Sequence, residues 1–145
     1  MKRALPEHAG ALEALHSAAF SAPWKSAEFE TLLRQPGVAG WIAGAGSPTG
    51  FILVRSAADE SEILTLAVDP GYRRGGVASG LLKSAIDTLR AAHTLRLYLE
   101  VAADSSAACA LYERHGFTLC GRRAGYYTSG TTRTDALTMM LALQP

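Results

Sequence analysis

Residues 68–82, "VDPGYRRGGVASGLL", set two arginines and two adjacent glycines between the end of a strand pattern and the start of a helix pattern. Glycine lets a backbone turn tightly and approach a ligand closely, and the free amides at a helix start favour an anion. The stretch therefore points to a phosphate-bearing ligand. It lacks the Gly-Lys-Ser/Thr ending of a nucleoside triphosphate loop, and "GGVASG" does not satisfy the G-x-G-x-x-G of a dinucleotide fold. What remains is Arg73-x-x-Gly76-x-Ala78, and the elements on either side decide what fold carries it.

Upstream, "GWIAGAG", "GFILVRS" and "EILTLAVDP" are short apolar runs separated by "SPTG" and "AADES", the pattern of an antiparallel meander. Downstream, Val77, Leu81, Leu82, Ala85, Ile86 and Leu89 recur at helical spacing while Lys83, Asp87 and Arg90 point elsewhere, so this helix lays one face on a sheet. In "TLRLYLEVA", Leu95, Leu97, Leu99 and Val101 share one face of a strand and Arg96, Tyr98 and Glu100 the other. Asp104 or Ser105 then caps a helix carrying Ala108, Leu111 and Tyr112, which stops at Gly116 and Phe117. "FTLCGRR" and "DALTMMLAL" supply closing strands around the connection "SGTTRT". At the front, Leu12, Leu15 and Ala19 predict a helix from residue 6 to about 20, and a second short helix stops before Pro36 and Gly37. This order is α+β, mixed α and β in one chain.

The 145 residues, 48% of them hydrophobic, are the size of one ordinary domain with its own core, so a single domain over residues 1–145 is expected. A net charge of +1, from 14 basic and 13 acidic residues, gives no field broad enough to make nucleic acid or an anionic membrane the main partner. Lys2 and Arg3 resemble the start of a signal peptide, but Glu7, His8 and Glu13 interrupt the apolar run it needs. No run is long and apolar enough to span a membrane. Cys109 and Cys120 lack the paired spacing of a zinc or redox motif, which suits reduced cysteines in a cytoplasmic protein. His8, His16, His93 and His115 are scattered without ligand spacing, so no metal is expected; His115, at a helix end, reads as a cationic cap.

The loop resembles the acetyl-coenzyme A signature of the Gcn5-related N-acetyltransferases (GNAT), Gln/Arg-x-x-Gly-x-Gly/Ala. The likeness runs from about residue 20 to 143. It includes Pro23 and Trp24, "LAVDPGYRRGGVASGLL", "LYLEVAADSSAACALYERHGF", "RRAGYY" and "DALTMML", in the order found in the bacterial ribosomal-protein alanine N-acetyltransferases. The resemblance implies a central, mostly antiparallel mixed sheet flanked by helices. It implies acetyl transfer from acetyl-coenzyme A to a primary amine, above all the N-terminal α-amine of a protein such as a ribosomal protein beginning with alanine. A small amine or a lysine side chain as acceptor stays open, as does a non-catalytic acetyl-coenzyme A-binding module, although binding alone needs neither Glu100 nor Tyr112.

By the same resemblance Glu100 is the general base, acting through water, and Tyr112 the acid that protonates the leaving thiolate. Main-chain groups of Leu66, Ala67 and Val68 would hold the acetyl and pantetheine parts. A bulge that family members carry in that strand would free an amide near Val68 for the oxyanion. Arg73, Arg74, Gly75, Gly76, Val77, Ala78 and Ser79 would surround the pyrophosphate. Ser105 stands where the family usually has asparagine and Ala102 where it has arginine; serine still donates and accepts but reaches less far. Trp24, Tyr126 and Tyr127 would shape the acceptor entrance. Without the resemblance each residue has a plainer reading: Glu100 a solvated residue on an edge strand, Tyr112 a boundary tyrosine on an amphipathic helix, the arginines ordinary surface charges, and Tyr126 and Tyr127 surface residues of a hairpin.

Overall fold

The structure, a computed structural model, describes residues 1–145. Its strands are β1 (Lys2–Arg3), β2 (Val38–Ala43), β3 (Gly50–Ala57), β4 (Glu60–Val68), β5 (Arg96–Ala102), β6 (Thr118–Ser129) and β7 (Thr132–Ala142). The helices are α1 (Ala9–Ala19), α2 (Ser26–Arg34), α3 (Val77–Ala91) and α4 (Ser106–Arg114). All strands join one sheet in the order β1-β2-β3-β4-β5-β7-β6, antiparallel throughout except where β4 meets β5. No helix is long and apolar enough to cross a membrane.

Apolar alternation along the strands builds a core on each face of the sheet. Leu97, Leu99 and Val101 of β5 pack with Leu81, Leu82, Ala85, Ile86 and Leu89 of α3 and with Leu111 and Tyr112 of α4. On the opposite face, Leu12 and Leu15 of α1 and Phe29 of α2 pack on Ile42, Phe51, Leu53 and Ala67. Phe29, Phe51, Leu81 and Leu97 are fully buried, and burial of each such side chain is worth about 1.5–3 kcal/mol.

Two irregularities matter for function. Leu53 pairs with Thr65 but Val54 with Ile63, so Leu64 is an extra residue in β4, upstream of Val68. Beyond that kink β4 leaves its neighbour: it pairs with β5 only through Glu60–Arg96, Ser61–Leu97 and Glu62–Tyr98, while β5 continues against β7 as far as Ala102. A gap therefore opens in the middle of the sheet.

Several sequence expectations are corrected. The opening helix begins as a 3-10 turn at Pro6–His8, where Pro6 fits because the first turn leaves that N–H unused in any case, and α1 proper starts at Ala9. Lys2 and Arg3 form an edge strand against Trp41 and Ile42. Leu95 is exposed and precedes β5, whose buried alternation starts at Leu97. Ser105 occupies the position before α4 but its side chain makes no capping bond, and Asp104 instead accepts from Thr134 Oγ1 at 3.4 Å. The closing hairpin is longer than expected: "RRAGYYTS" continues β6, most of "SGTTRT" belongs to the strands, and only Gly130 and Thr131 separate β6 from β7. Glu100 consequently lies on an interior strand between β4 and β7 and not at an edge.

Candidate active site

A cleft of about 780 Å³ opens on the α3–α4 side of the gap. It is lined by Leu66, Ala67 and Val68 from β4, by Arg73, Arg74, Gly76, Val77, Ala78 and Ser79 from the glycine loop, and by Ser105 and Tyr112 from the α4 side. Gly75 lies in the loop without facing the cleft; a side chain there would meet Tyr72 O at 3.4 Å.

The loop's backbone explains what the cleft can hold. From Arg73 to Ser79 no backbone N–H donates to another backbone group, because the loop turns away from the sheet and the first turn of α3 has no preceding turn to bond. Arg74 (φ 66) and Gly76 (φ 83) both adopt left-handed backbone, the arrangement from which anion-binding concavities of successive amides are made. A side-chain carbon at Gly76 would meet no protein atom within 4 Å, so the space it borders is open to a ligand. Unpaired amides, a helix start and two exposed arginines fit a diphosphate.

The strand opposite is equally specific. Asp69 N–H bonds Thr49 O at 2.8 Å. By the alternation of an antiparallel ladder, Ala67 is likewise engaged with Phe51, while Leu66 and Val68 turn their main-chain groups away from β3 and toward the gap. Ala67 thus borders the cleft with its backbone already committed. The amide at Val68 is freed by the separation of β4 from β5 and not by a bulge at that residue.

Tyr112 is 8% exposed, and burial, followed by the nearby Cys109, pushes its phenol up to about 12. Its hydroxyl has no hydrogen-bond partner in the protein, yet it is not sealed from solvent. At neutral pH it is a donor and not a base. His115, one turn on, departs from the expected cationic cap. Its ring Nε2 lies 2.7 Å from Ser79 Oγ, tying α4 to the loop, and burial and then Arg114 hold its pKa below the usual value.

Glu100 opens on the other face of the sheet, since its neighbours Leu99 and Val101 point into the α3–α4 core. It is exposed and accepts a hydrogen bond from Tyr127 Oη at 2.8 Å. That contact, together with burial as the larger cause, raises the Tyr127 phenol to about 12. The reach of Tyr127 depends on a break in β6: the register shifts between Arg123 and Tyr127, where Gly125 takes φ 59 and its N–H donates to Asp135 Oδ1 at 2.8 Å. Tyr126 packs edge-on against Tyr127 at 5.2 Å, under the Arg123 guanidinium at 4.8 Å. Trp24 lies apart from this pair, on a groove of about 670 Å³ with Leu32 of α2 and Arg55 and Leu64 of the sheet.

Sequence reasoning missed Phe20, Tyr72 and Arg114 in the cleft wall and the whole α2 side of the groove. Phe20 left a signal, as an aromatic residue at the end of the apolar stripe Leu12, Leu15 and Ala19. The groove left none, because its lining comes from separate elements. No three His, Cys, Asp or Glu side chains come together as a metal site.

Residues 9–117 match the acetyltransferase (GNAT) family model. The [ribosomal protein bS18]-alanine N-acetyltransferase of Escherichia coli K12 is 33% identical over 121 residues, covering 83% of this chain and 82% of that protein. N-alpha-acetyltransferase RimI of Mycobacterium tuberculosis is 36% identical over 123 residues, covering 81% and 74%. The crystal structure of the Escherichia coli ribosomal-protein-S18-alanine N-acetyltransferase superposes with a TM-score of 0.91 at 28% identity, over 99% of this chain and 94% of that one. With its glycine loop, split sheet and flanking helices, the chain belongs to the GNAT family and is an acetyl-coenzyme A-dependent N-acetyltransferase.

Proposed function

We propose that the acceptor is the N-terminal α-amine of a protein, specifically of a ribosomal protein beginning with alanine, and that residues 1–145 act as one catalytic domain in the cytoplasm. The acceptor class follows the activities named for the Escherichia coli and Mycobacterium tuberculosis relatives. The observation that carries the reading is the gap between β4 and β5, with Tyr112 and the amide-lined cleft on one side of the sheet and Glu100 on the other. A donor and an acceptor substrate can then meet through the sheet from opposite faces.

In this reading the amides from Arg73 to Ser79 receive the coenzyme's diphosphate, with Arg73 and Arg74 offsetting its charge. Leu66 and Val68 face the acyl arm, the Val68 N–H stabilises the developing oxyanion, and Ser105 forms part of the opposite wall. The amine nitrogen bonds the thioester carbon as the carbon–sulfur bond breaks. The amine's proton passes through water to Glu100, and the departing thiolate takes the Tyr112 proton. Tyr126 and Tyr127 border the entrance beside Glu100, and Trp24 borders the separate groove on the same face of the sheet, along which the acceptor's chain would run.

With its phenol near 12, Tyr112 is a weaker acid than a free coenzyme thiol, whose reference pKa is about 8.5. The dry wall that raises the phenol also destabilises a thiolate placed beside it, which narrows the difference. Tyr112→Phe is expected to lower kcat by about 10²-fold, the low end for a general acid, as suits an acid weaker than the thiol it serves. Because the hydroxyl has no partner in the protein, the melting temperature should stay within about 2 °C, on the scale of a surface change. An undiminished kcat would return Tyr112 to the core.

The acceptor assignment is tested by mass spectrometry after incubation with acetyl-coenzyme A. A peptide with a free N-terminal alanine is expected to gain one acetyl group, and an N-terminally blocked peptide with an internal lysine none. Modification of the lysine, or of neither peptide despite coenzyme binding, overturns the α-amine reading.

A further inference from the structure

His16 occupies the last turn of α1 and is only 3% exposed, an unusual place for a titratable side chain outside the reacting centre. Its ring stacks on Phe20 at 4.4 Å and on Trp24 at 5.0 Å, with Phe29 edge-on at 5.5 Å. Its Nδ1 accepts the Trp24 backbone N–H at 3.1 Å, and its carbonyl accepts the Phe20 N–H at 2.9 Å. One turn earlier on α1, Glu13 accepts from Ser26 Oγ at 2.8 Å and also from the Ser26 N–H. The connection between α1 and α2 is therefore held at both ends by α1. Its two aromatic residues do different things: Phe20 lines the coenzyme cleft, and Trp24 lines the groove on the face of the sheet that carries Glu100.

We propose that His16 is a positioning residue for the acceptor: its unprotonated Nδ1 latches the α1–α2 connection so that Trp24 stands as a fixed wall of the acceptor groove. This rests on the reading of that face as the acceptor's side. The latch needs the Nδ1 lone pair, because protonation would set a donor against the Trp24 N–H. Burial favours the neutral ring and holds the pKa below its usual value, against the opposing charge of Glu28 on α2. Of the other charged groups nearby, Glu13 is committed to Ser26, and Lys25 is exposed with its backbone N–H given to Glu28 at 3.2 Å; from β3, the Phe51 ring faces His16 at 6.4 Å. A histidine with a lowered folded pKa favours the fold above its unfolded value, about 6.5. That contribution is lost as pH falls from there through the folded pKa.

Two variants of the full chain separate the latch from simple packing. His16→Phe keeps a ring for the stack and removes the acceptor, whereas His16→Asn offers an oxygen near the Nδ1 position. For His16→Phe the expected result is a rise of about three- to tenfold in KM for the N-terminal alanine peptide, the scale of one lost hydrogen bond, with kcat and acetyl-coenzyme A affinity within about twofold. A rise in wild-type peptide KM as pH falls below about 6.5 through the ring's lowered pKa should be absent in His16→Phe, and His16→Asn should recover part of the KM. Acrylamide quenching of tryptophan fluorescence gives a readout independent of the acceptor, since Trp41 is only 5% exposed and the signal reports Trp24. Quenching should increase in His16→Phe. Unchanged quenching and KM, or a lowered melting temperature alone, overturns the proposal; increased quenching in a protein that acetylates no peptide keeps the latch and overturns the acceptor reading instead.

Discussion

Glu100→Gln is expected to lower kcat/KM for the alanine peptide by about 10²- to 10³-fold while leaving acetyl-coenzyme A affinity within about twofold. The size follows from the state of the substrate. A peptide α-amine has a pKa near 7.7–8.0, so at pH 7 most of it is an ammonium ion with no lone pair to offer, and a carboxylate at the meeting point of the two faces removes that proton. Glutamine is the informative replacement. Its amide oxygen still accepts the Tyr127 hydroxyl that Glu100 accepts at 2.8 Å, so the tyrosine and the β6–β7 hairpin have no reason to move. Only basicity and charge are lost. The deficit should narrow as pH rises above about 8 and free amine accumulates. Steady-state rates between pH 6 and 9, paired with calorimetry of coenzyme binding, make the check. A glutamine variant with wild-type rates across that range would remove Glu100 from the mechanism.

Gly76→Val should have the opposite signature: acetyl-coenzyme A affinity falls by about 30- to 150-fold, equivalent to about 2–3 kcal/mol. Two costs add. At φ 83 the residue is in the left-handed region, where a side chain, above all a β-branched one, is strained by about 1–3 kcal/mol. The new carbons would also project into the space bordering the free amides, where no protein atom lies within 4 Å of the added Cβ. The fold raises no steric objection to that Cβ, so any loss of melting temperature reflects backbone strain, while the loss of affinity reflects strain and ligand together. Gly76→Ala, with less bulk at the same φ, should lie between the two. Calorimetry that returned the wild-type dissociation constant for Gly76→Val would remove the glycine loop from the coenzyme site.

Much of this architecture was legible because its signals are local. The alternation of Leu97, Leu99 and Val101 determines which way Glu100 points, whatever strands lie beside it. The apolar stripe of α3 determines its buried face, and its missing upstream turn determines that the loop amides are free. Tyr126 and Tyr127 show the limit of such reading. Their sequence leaves them between the expected strand "FTLCGRR" and the connection "SGTTRT", yet they lie within β6, because Gly125 and Asp135 absorb the break in register and the strands pair on to Ser129 and Thr132.

By itself, the sequence determined the order of elements, the anion-seeking loop and the family likeness, since each is written in residues close together along the chain. Only the tertiary structure decided where the sheet divides, which main-chain groups of β4 are free, and that Tyr127 reaches Glu100. The same holds for the bond from the His16 ring to the Trp24 backbone. The physical reason is that periodicity specifies a residue's face but not its partner. Strand separation, register and the meeting of distant side chains follow from how whole elements pack, and no short window contains that information.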